Sequence, residues 1–262
     1  IQAVTLSDVY EYLNYTLTGR ENSAKTRSRK VSSLRSFFRY LHIKTTLLPT
    51  NPVENLEVPS VRKSLPKYLT LEQSLELLAG SMEPGSERDY AMLTLFLNCG
   101  MRLSELVGIN LGDFNTKEHS LRLLGKGNKE RIVYLNDACI AAVERYLAVR
   151  PRPKRTPKDQ NALFLSRTGS RISPRRVEQI ITTCLGRIGL QGQGYSVHKL
   201  RHTAATLMYQ HGQVDIRVLQ DILGHANLST TEIYTHIAER QVEEAMKNSP
   251  LAKVKAKKTP QP

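Results

Sequence analysis

The chain has 262 residues, and its 38 lysines and arginines against 24 aspartates and glutamates give it a net charge of +14. Hydrophobic residues make up 40% of the chain, which is enough to build a core and excludes a disordered polybasic polypeptide. No apolar run reaches the length of a membrane-spanning helix, and three widely spaced cysteines favour neither a disulfide framework nor a zinc site. We therefore expect one large domain or two ordinary ones in the reducing environment of the cytoplasm.

The positive charge is concentrated in three segments. Residues 24–44 hold seven basic and no acidic side chains, residues 145–187 hold eleven basic and two acidic ones, and residues 247–258 hold five lysines and no acid. Clustered charge is typical of a surface that binds a polyanion, although basic helix faces can also serve solubility alone. The pattern favours a nucleic acid as partner, and the candidate contacts are Lys25, Arg27, Arg29, Lys30, Arg171, Arg175 and Arg176.

Two helices are predicted near the start of the chain. Apolar residues at helical spacing indicate helices over residues 5–17 and 23–41, and the second helix presents a basic face. Four prolines between residues 49 and 67 interrupt regular structure, so we predict a domain linker there. The segment 1–48 is short for a complete DNA-clamping domain and begins with Ile1 rather than Met, so we expect it to be N-terminally truncated.

The remainder is predicted to be mainly helical with one small antiparallel β-hairpin. The hairpin covers residues 120–135, where two short strands flank the turn GKGNK. A nearly continuous apolar pattern over residues 87–99 indicates a buried helix. The other predicted helices cover residues 70–80, 103–109, 137–149, 174–188, 198–211, 215–223 and 229–247. We expect a second domain over residues 68–247 and a disordered basic tail over 248–262.

Six polar or cationic residues in four separate segments are not needed by the local structure around them. Each one alone has an ordinary explanation, such as a salt bridge, a hairpin loop, a core histidine or a packing tyrosine. His198 and Arg201 are three residues apart on one predicted helix and therefore share a face of it. The six residues are Arg102, Lys126, His198, Arg201, His225 and Tyr234.

Taken together, the six residues suit a reaction in which a tyrosine oxygen attacks a phosphodiester. The arginines can bind the nonbridging oxygens, and one histidine can help to deprotonate the phenol while the other donates a hydrogen bond to the phosphate. A lysine on a loop can protonate the leaving 5′ oxygen, and the covalent intermediate conserves the bond energy for rejoining. No carboxylate cluster accompanies these residues, so we expect chemistry without a metal or another cofactor.

The same segments resemble a known family. CGMRLSEL, GKGNKERIVYL, HKLRHTAAT and LGHANLSTTEIYTH, in this order, are similar to the signature segments of the tyrosine recombinase (phage integrase) family, and especially of its Xer-like bacterial members and mobile-element integrases. NPVENLEVPSVRKSLPKYLT resembles the family's joint between a core-binding and a catalytic domain. The resemblance implies that Tyr234 is the nucleophile and that the other five residues activate the phosphate.

The resemblance also implies an architecture and an assembly. A mainly helical, two-domain DNA-breaking-rejoining fold would clamp duplex DNA, and four protomers would join two sites through a 3′-phosphotyrosyl bond and a Holliday junction. The C-terminal helix, near residues 242–251, would dock on a neighbouring protomer, and accessory DNA-bending proteins or a partner recombinase could take part. Chromosome dimer resolution, integration or excision of a mobile element, and DNA inversion all remain open.

Two other functions compete with site-specific recombination. A type IB topoisomerase would use similar chemistry without joining two sites, and a DNA-binding regulator could keep the fold without catalysis. The LGHANLSTTEIYTH segment argues against the first, and the complete set of reactive residues argues against the second. Among neighbouring residues, we expect Glu105 to hold Arg102 or nearby backbone rather than to react, and His202 and His236 to be structural or secondary.

Overall fold

The computed structural model describes residues 1–45, 47–58, 67–83, 85–125, 130–212 and 216–224. The chain divides into two compact units, Ile1–Leu65 and Pro66–Pro262. None of the described helices is both long enough and apolar enough to cross a membrane.

The first unit is built on two helices, α1 (Leu6–Thr18) and α2 (Ala24–Ile43), as predicted. Thr5 and Asp8 form a capping box at the start of α1, and Ser23 caps α2, so both helix starts satisfy amide groups that would otherwise lack a partner. The apolar faces of the two helices meet in a small core, which consists of Val9, Val31, Phe38, Leu41, Leu48, Val53 and Leu56.

The segment predicted as a linker begins as part of this first unit. Val53 and Leu56 are fully buried, and the guanidinium of Arg35 donates a hydrogen bond to the Leu56 carbonyl. Prolines interrupt helices and strands, but an irregular segment can still bury its apolar side chains. The boundary between the two units falls after Leu65, within the predicted linker of residues 49–67.

The second unit is mainly helical and contains one small sheet. Its helices are α3 (Leu71–Ala79), α4 (Glu87–Cys99), α5 (Leu103–Gly108), α6 (Asp137–Val149), α7 (Pro157–Asn161), α8 (Pro174–Arg187), α9 (Val197–His211) and α10 (Ile216–Leu223). A short 3₁₀ turn (Leu111–Asp113) leads into the antiparallel strands β1 (Phe114–Asn115), β2 (Ser120–Leu124) and β3 (Glu130–Tyr134), which lie in the order β1-β2-β3. The predicted fold class is therefore confirmed.

Helix α4 lies at the centre of the second unit. Eight of its side chains are buried, among them the completely buried Leu93, Leu95 and Phe96, and it packs against α6 and α9. A helix that is apolar nearly all round must be covered on several sides, which is what its sequence predicts. α4 ends at Gly100, whose φ of +57° belongs to the left-handed region and turns the chain sharply into the start of α5.

Most element positions agree with the sequence predictions, but the 3₁₀ turn at Leu111–Asp113, β1 and α7 were not predicted. β1 has only two residues and α7 only five, too few for either to show a hydrophobic period. The predicted hairpin is present, with Leu121 paired opposite Val133. The predicted helix over residues 229–247 and the basic tail lie outside the described residues.

Candidate active site

Arg102 lies at the N-terminal end of α5, directly after the turn at Gly100. Its side chain is 37% exposed, and its Nη1 donates to Glu105 Oε1 at 2.7 Å. Its Nη2 donates to the carbonyl oxygen of Gly224 at 3.1 Å. Arg102 is thus held from two sides while part of the guanidinium stays open to a ligand.

Glu105 is the buried carboxylate of the site, with only 2% of its surface exposed. Besides the Arg102 side chain, it accepts a 2.7 Å hydrogen bond from the Arg102 backbone amide and two from the guanidinium of Arg131, one of them 2.9 Å long. Burial alone would raise the pKa of Glu105, but the hydrogen bonds from Arg131 and Arg102 outweigh it and lower the pKa. The expectation that Glu105 holds Arg102 is confirmed.

Arg131 was not singled out in the sequence. It is the second residue of β3, five residues after Lys126 in the sequence, and only 14% of its side chain is exposed. Its paired contact with Glu105 fixes the base of the hairpin beside Arg102. Lys126 itself lies outside the described residues.

The Arg201 side chain is more buried than those of Arg102 and Arg131, and 5% of the residue's surface is exposed. It lies on α9, and its Nη1 and Nη2 each donate a 2.6 Å hydrogen bond, to the carbonyls of Gly100 and Leu223 respectively. Its Nη1 is also 3.9 Å from Glu105 Oε2. A buried guanidinium is tolerated only when it is paired in this way, so protein contacts alone hold Arg201 in a fixed position.

Two glycines let the end of α10 approach the arginines. A Cβ at Gly100 would lie 2.7 Å from Leu223 Cδ2, and a Cβ at Gly224, where φ is +62°, would lie 3.0 Å from Arg131 Cδ. A larger residue at either position would separate α10 from the arginine side chains. Gly224 immediately precedes His225 in the sequence; His225 and Tyr234 lie outside the described residues.

His198 lies three residues before Arg201 on α9, and its ring faces the same cavity as the arginines. Its Nε2 is 3.2 Å from Nε2 of His202, one helical turn further on. Desolvation by the surrounding protein lowers the pKa of His198, and the positive charges of Arg201, Lys199 and Arg102 lower it further. Burial and the neighbouring cations therefore both favour the neutral form of the ring.

A cavity of about 630 Å³ joins these side chains. Arg102, His198 and Arg201 line it together with Ser104, Ser196 and Glu178. Three of the six predicted reactive residues therefore line one cavity. Within the described part of the chain, no group of three or more histidine, cysteine, aspartate or glutamate side chains could hold a metal ion.

The basic residues of the first unit are partly exposed along α2. Lys25 and Arg29 are exposed, whereas Arg27 and Lys30 are half-buried. Lys30 Nζ donates to the hydroxyl of Tyr12 at 3.2 Å and lies 5.3 Å from the centre of its ring. α2 therefore presents exposed cations, and Lys30 is held against the Tyr12 ring.

Arg175 and Arg176 are exposed in the first turn of α8, whereas Arg171 has a different environment. The Arg171 guanidinium donates to the carbonyls of Val107 (2.9 Å) and Ile109 (3.0 Å) and to the side-chain oxygen of Asn110. Burial lowers the pKa of Arg171 despite the nearby carboxylates. These contacts favour a structural role for Arg171, which ties the chain before α8 to the end of α5.

The chain is similar to proteins of one known family. Residues 67–241 match the Phage integrase family. Tyrosine recombinase XerC of Caldanaerobacter subterraneus subsp. tengcongensis is 52% identical over 252 residues, which cover 96% of this chain and 70% of the relative. XerC of Actinobacillus pleuropneumoniae is 42% identical over 215 residues, which cover 82% and 68%.

Solved structures share the fold. The crystal structure of XerA recombinase superposes with a TM-score of 0.60 at 27% identity, over 97% of this chain and 85% of that one. The post-cleavage complex of XerH site-specific recombinase with its palindromic difH substrate gives a TM-score of 0.77 at 23% identity, over 95% and 73%.

Replacing Glu105 should destabilise the protein in a pH-dependent way. Because its folded-state pKa is lowered, the carboxylate contributes stability that is present above its ordinary pKa and is lost as the pH falls through the lowered value. Glu105→Gln should reduce the free energy of unfolding at pH 7 by about 3 kcal/mol, because the buried arginines lose their counter-charge. Urea unfolding at about pH 7 and pH 4 should show the difference from wild type shrinking in acid. The exposed Glu178→Gln is the control, and an unchanged difference at both pH values would refute the ion-pair explanation.

Arg171 and Arg175 should separate stability from DNA binding. Arg171→Ala should lower the free energy of unfolding by about 2 kcal/mol, because it leaves buried carbonyls without donors. Arg175→Ala should leave unfolding unchanged and weaken DNA binding several-fold with a shallower salt dependence. Urea unfolding and fluorescence anisotropy with labelled duplex DNA measure the two effects. Equal changes in unfolding free energy and in DNA affinity for the two variants would contradict the structural role of Arg171 and the DNA-binding role of Arg175.

Proposed function

The chain belongs to the phage integrase family and is a site-specific tyrosine recombinase, and we propose that the cavity lined by Arg102, His198 and Arg201 is where it breaks and rejoins duplex DNA. One observation carries this assignment: both guanidiniums are held by protein contacts at the edge of a single opening, with an imidazole beside them. Donors that are fixed in advance do not have to reorganise as charge develops on a phosphate.

Arg102 and Arg201 have different roles in binding the scissile phosphate. Arg102 is partly exposed and can contact nonbridging oxygens directly, while the buried Arg201 adds a fixed positive charge behind the opening. Phosphodiester attack concentrates negative charge on those oxygens in the pentacoordinate transition state. One guanidinium can donate two parallel hydrogen bonds to such oxygens, so it both neutralises the phosphate's charge and fixes its orientation.

Tyr234 is the proposed nucleophile. Its phenol oxygen forms a bond to phosphorus while the bond to the 5′ oxygen breaks, which leaves a 3′-phosphotyrosyl link. The phenol proton passes to a histidine, His198 or His225, and the departing 5′ oxygen takes a proton from Lys126. A 5′ hydroxyl from the partner strand then reverses these steps. The phosphotyrosyl bond retains the energy of the phosphodiester, so we propose that neither ATP nor a metal ion is needed.

The partner is duplex DNA in the cytoplasm, and we propose that four protomers act on two sites through a Holliday junction. The exposed basic residues of α2 in the first unit, and those of the first turn of α8 in the second unit, would contact the DNA backbone. The segment near residues 242–251 would link neighbouring protomers, with accessory DNA-bending proteins or a partner recombinase taking part. This reaction serves chromosome dimer resolution or the integration and excision of DNA elements.

A suicide substrate tests the nucleophile. A duplex nicked near the cleavage point loses the short product, so the protein should remain covalently attached to the DNA. Tyr234→Phe should abolish the covalent complex and keep DNA binding, because it removes only the attacking oxygen. Tyr134→Phe, an 81% exposed tyrosine on β3, is the matched control and should behave as wild type. Denaturing gel electrophoresis detects the adduct, and an adduct in Tyr234→Phe would show that the nucleophile is another residue.

Chelation tests the proposed independence from metal. Cleavage of the same substrate should be as fast in excess EDTA as without it, because arginine side chains supply the positive charge that a metal would otherwise provide. The measurement is a single-turnover time course with and without the chelator. Loss of cleavage that is restored by added Mg²⁺ would overturn this part of the proposal.

A further inference from the structure

His202 is the one residue of the α9 signature segment, HKLRHTAAT, that combines a titratable ring with direct contact to a reactive residue and has no role in the mechanism so far. It lies four residues after His198, so both side chains project from the same face of α9. The two rings are 4.7 Å apart between centres and nearly perpendicular, at 85°. Their Nε2 atoms are 3.2 Å apart, which is hydrogen-bond distance.

A hydrogen bond between two imidazole nitrogens restricts where protons can be. One Nε2 must carry a hydrogen and the other must offer a lone pair, because two protonated nitrogens would only repel each other. The contact therefore sets the tautomer of both rings. With Nε2 of His198 occupied by His202, Nδ1 is the nitrogen of His198 that is left for reacting groups.

The charges around His198 decide which ring donates. Lys199 and Arg201 on α9 and Arg102 at the start of α5 are cationic, and Glu178 on α8 is the carboxylate that lines the same cavity. Arg102 and Arg201 line the same cavity as His198. A lone pair on His198 interacts better with these cations than an N–H does, which favours the hydrogen on the nitrogen that contacts His202 and leaves Nδ1 with its lone pair.

We propose that His202 accepts a hydrogen bond from Nε2–H of His198 and so holds His198 as the neutral tautomer whose Nδ1 lone pair can take the proton of the attacking phenol. His202 is then a positioning residue that acts through His198. When Nδ1 receives the proton, the imidazolium keeps its Nε2–H bonded to His202, which stabilises the charge that has just formed. The proposal rests on the proposed cleavage reaction and assigns the base role to His198.

The helix around His202 is well fixed, which makes the effect of a substitution interpretable. The neighbouring Thr203 is fully buried, and its hydroxyl accepts a 2.9 Å hydrogen bond from the Leu69 amide while it donates to the Lys199 carbonyl. Leu200 is also fully buried. Changes at position 202 should therefore alter the contact with His198 more than the course of α9.

The first experiment compares two substitutions of the full chain by single-turnover cleavage of the suicide substrate across a pH series. His202→Leu removes the acceptor and should slow cleavage about tenfold, less than loss of the base itself, while DNA affinity changes less than about twofold. The acidic limb of its pH–rate profile should move to lower pH, because the imidazolium of His198 loses a hydrogen-bond partner. His202→Gln offers a carbonyl acceptor and should restore both the limb and most of the rate.

His211→Leu, at the exposed C-terminal end of the same helix, is the matched control and should match wild type in both measurements. Equal losses in His202→Leu and His202→Gln with unshifted limbs would mean that His202 only supports the fold, and the proposal would fail. A wild-type rate and pH profile in His202→Leu would also overturn it.

The second experiment reads the tautomer without any chemistry. Long-range ¹H–¹⁵N NMR of histidine-labelled Tyr234→Phe protein should show His198 protonated on Nε2 and not on Nδ1, with the signals assigned by their loss in His198→Gln. Adding His202→Leu should produce a mixture of both tautomers. Protonation of His198 on Nδ1, or no change with His202→Leu, would overturn the proposal. This readout does not depend on cleavage, so it stays separate from a failure to identify the nucleophile.

Discussion

The buried carboxylate of Glu105 is the interaction on which the rest of the site depends. A phosphate-binding centre needs several positive charges close together, and the protein must tolerate them when no phosphate is bound. Two unit charges about 4 Å apart interact by about 4 kcal/mol at the effective dielectric near a protein surface. Glu105 receives hydrogen bonds from Arg102 and Arg131 and lies within 3.9 Å of Arg201, so one carboxylate offsets part of the repulsion among three guanidiniums and leaves a net positive site.

Backbone carbonyls complete this balance. Arg201 donates to the carbonyls of Gly100 and Leu223, and Arg102 donates to that of Gly224, so the C-terminal ends of α4 and α10 both face guanidiniums. Helix C-termini carry partial negative charge and carbonyls without a partner inside the helix. The guanidiniums donate hydrogen bonds to these carbonyls, and the partial negative charge of the helix ends stabilises their positive charge. Packing of the apolar α4 thus contributes directly to the electrostatics of the cavity.

Much of the fold and part of the site can be predicted from the sequence. Helical periodicity indicates α9, and the three-residue spacing of His198 and Arg201 then places them on one face. Arg131 could not be found in this way, because an arginine in a short strand is as compatible with solvent as with a buried ion pair. Arg171 lies in a basic run, and only the folded structure reveals the carbonyls that occupy its donors.

The hydrogen bond between Arg102 and the Gly224 carbonyl also has a consequence for how the proposed nucleophile, Tyr234, can reach a phosphate. Tyr234 follows Gly224 by ten residues, so whatever path they take, its Cα is at most about 35 Å from a point fixed on the arginine cluster. A tether of this length gives the phenol an effective concentration on the order of millimolar at the protomer's own cavity. The hydrogen bonds that hold the guanidiniums in place therefore also limit how much translational entropy the nucleophile must lose.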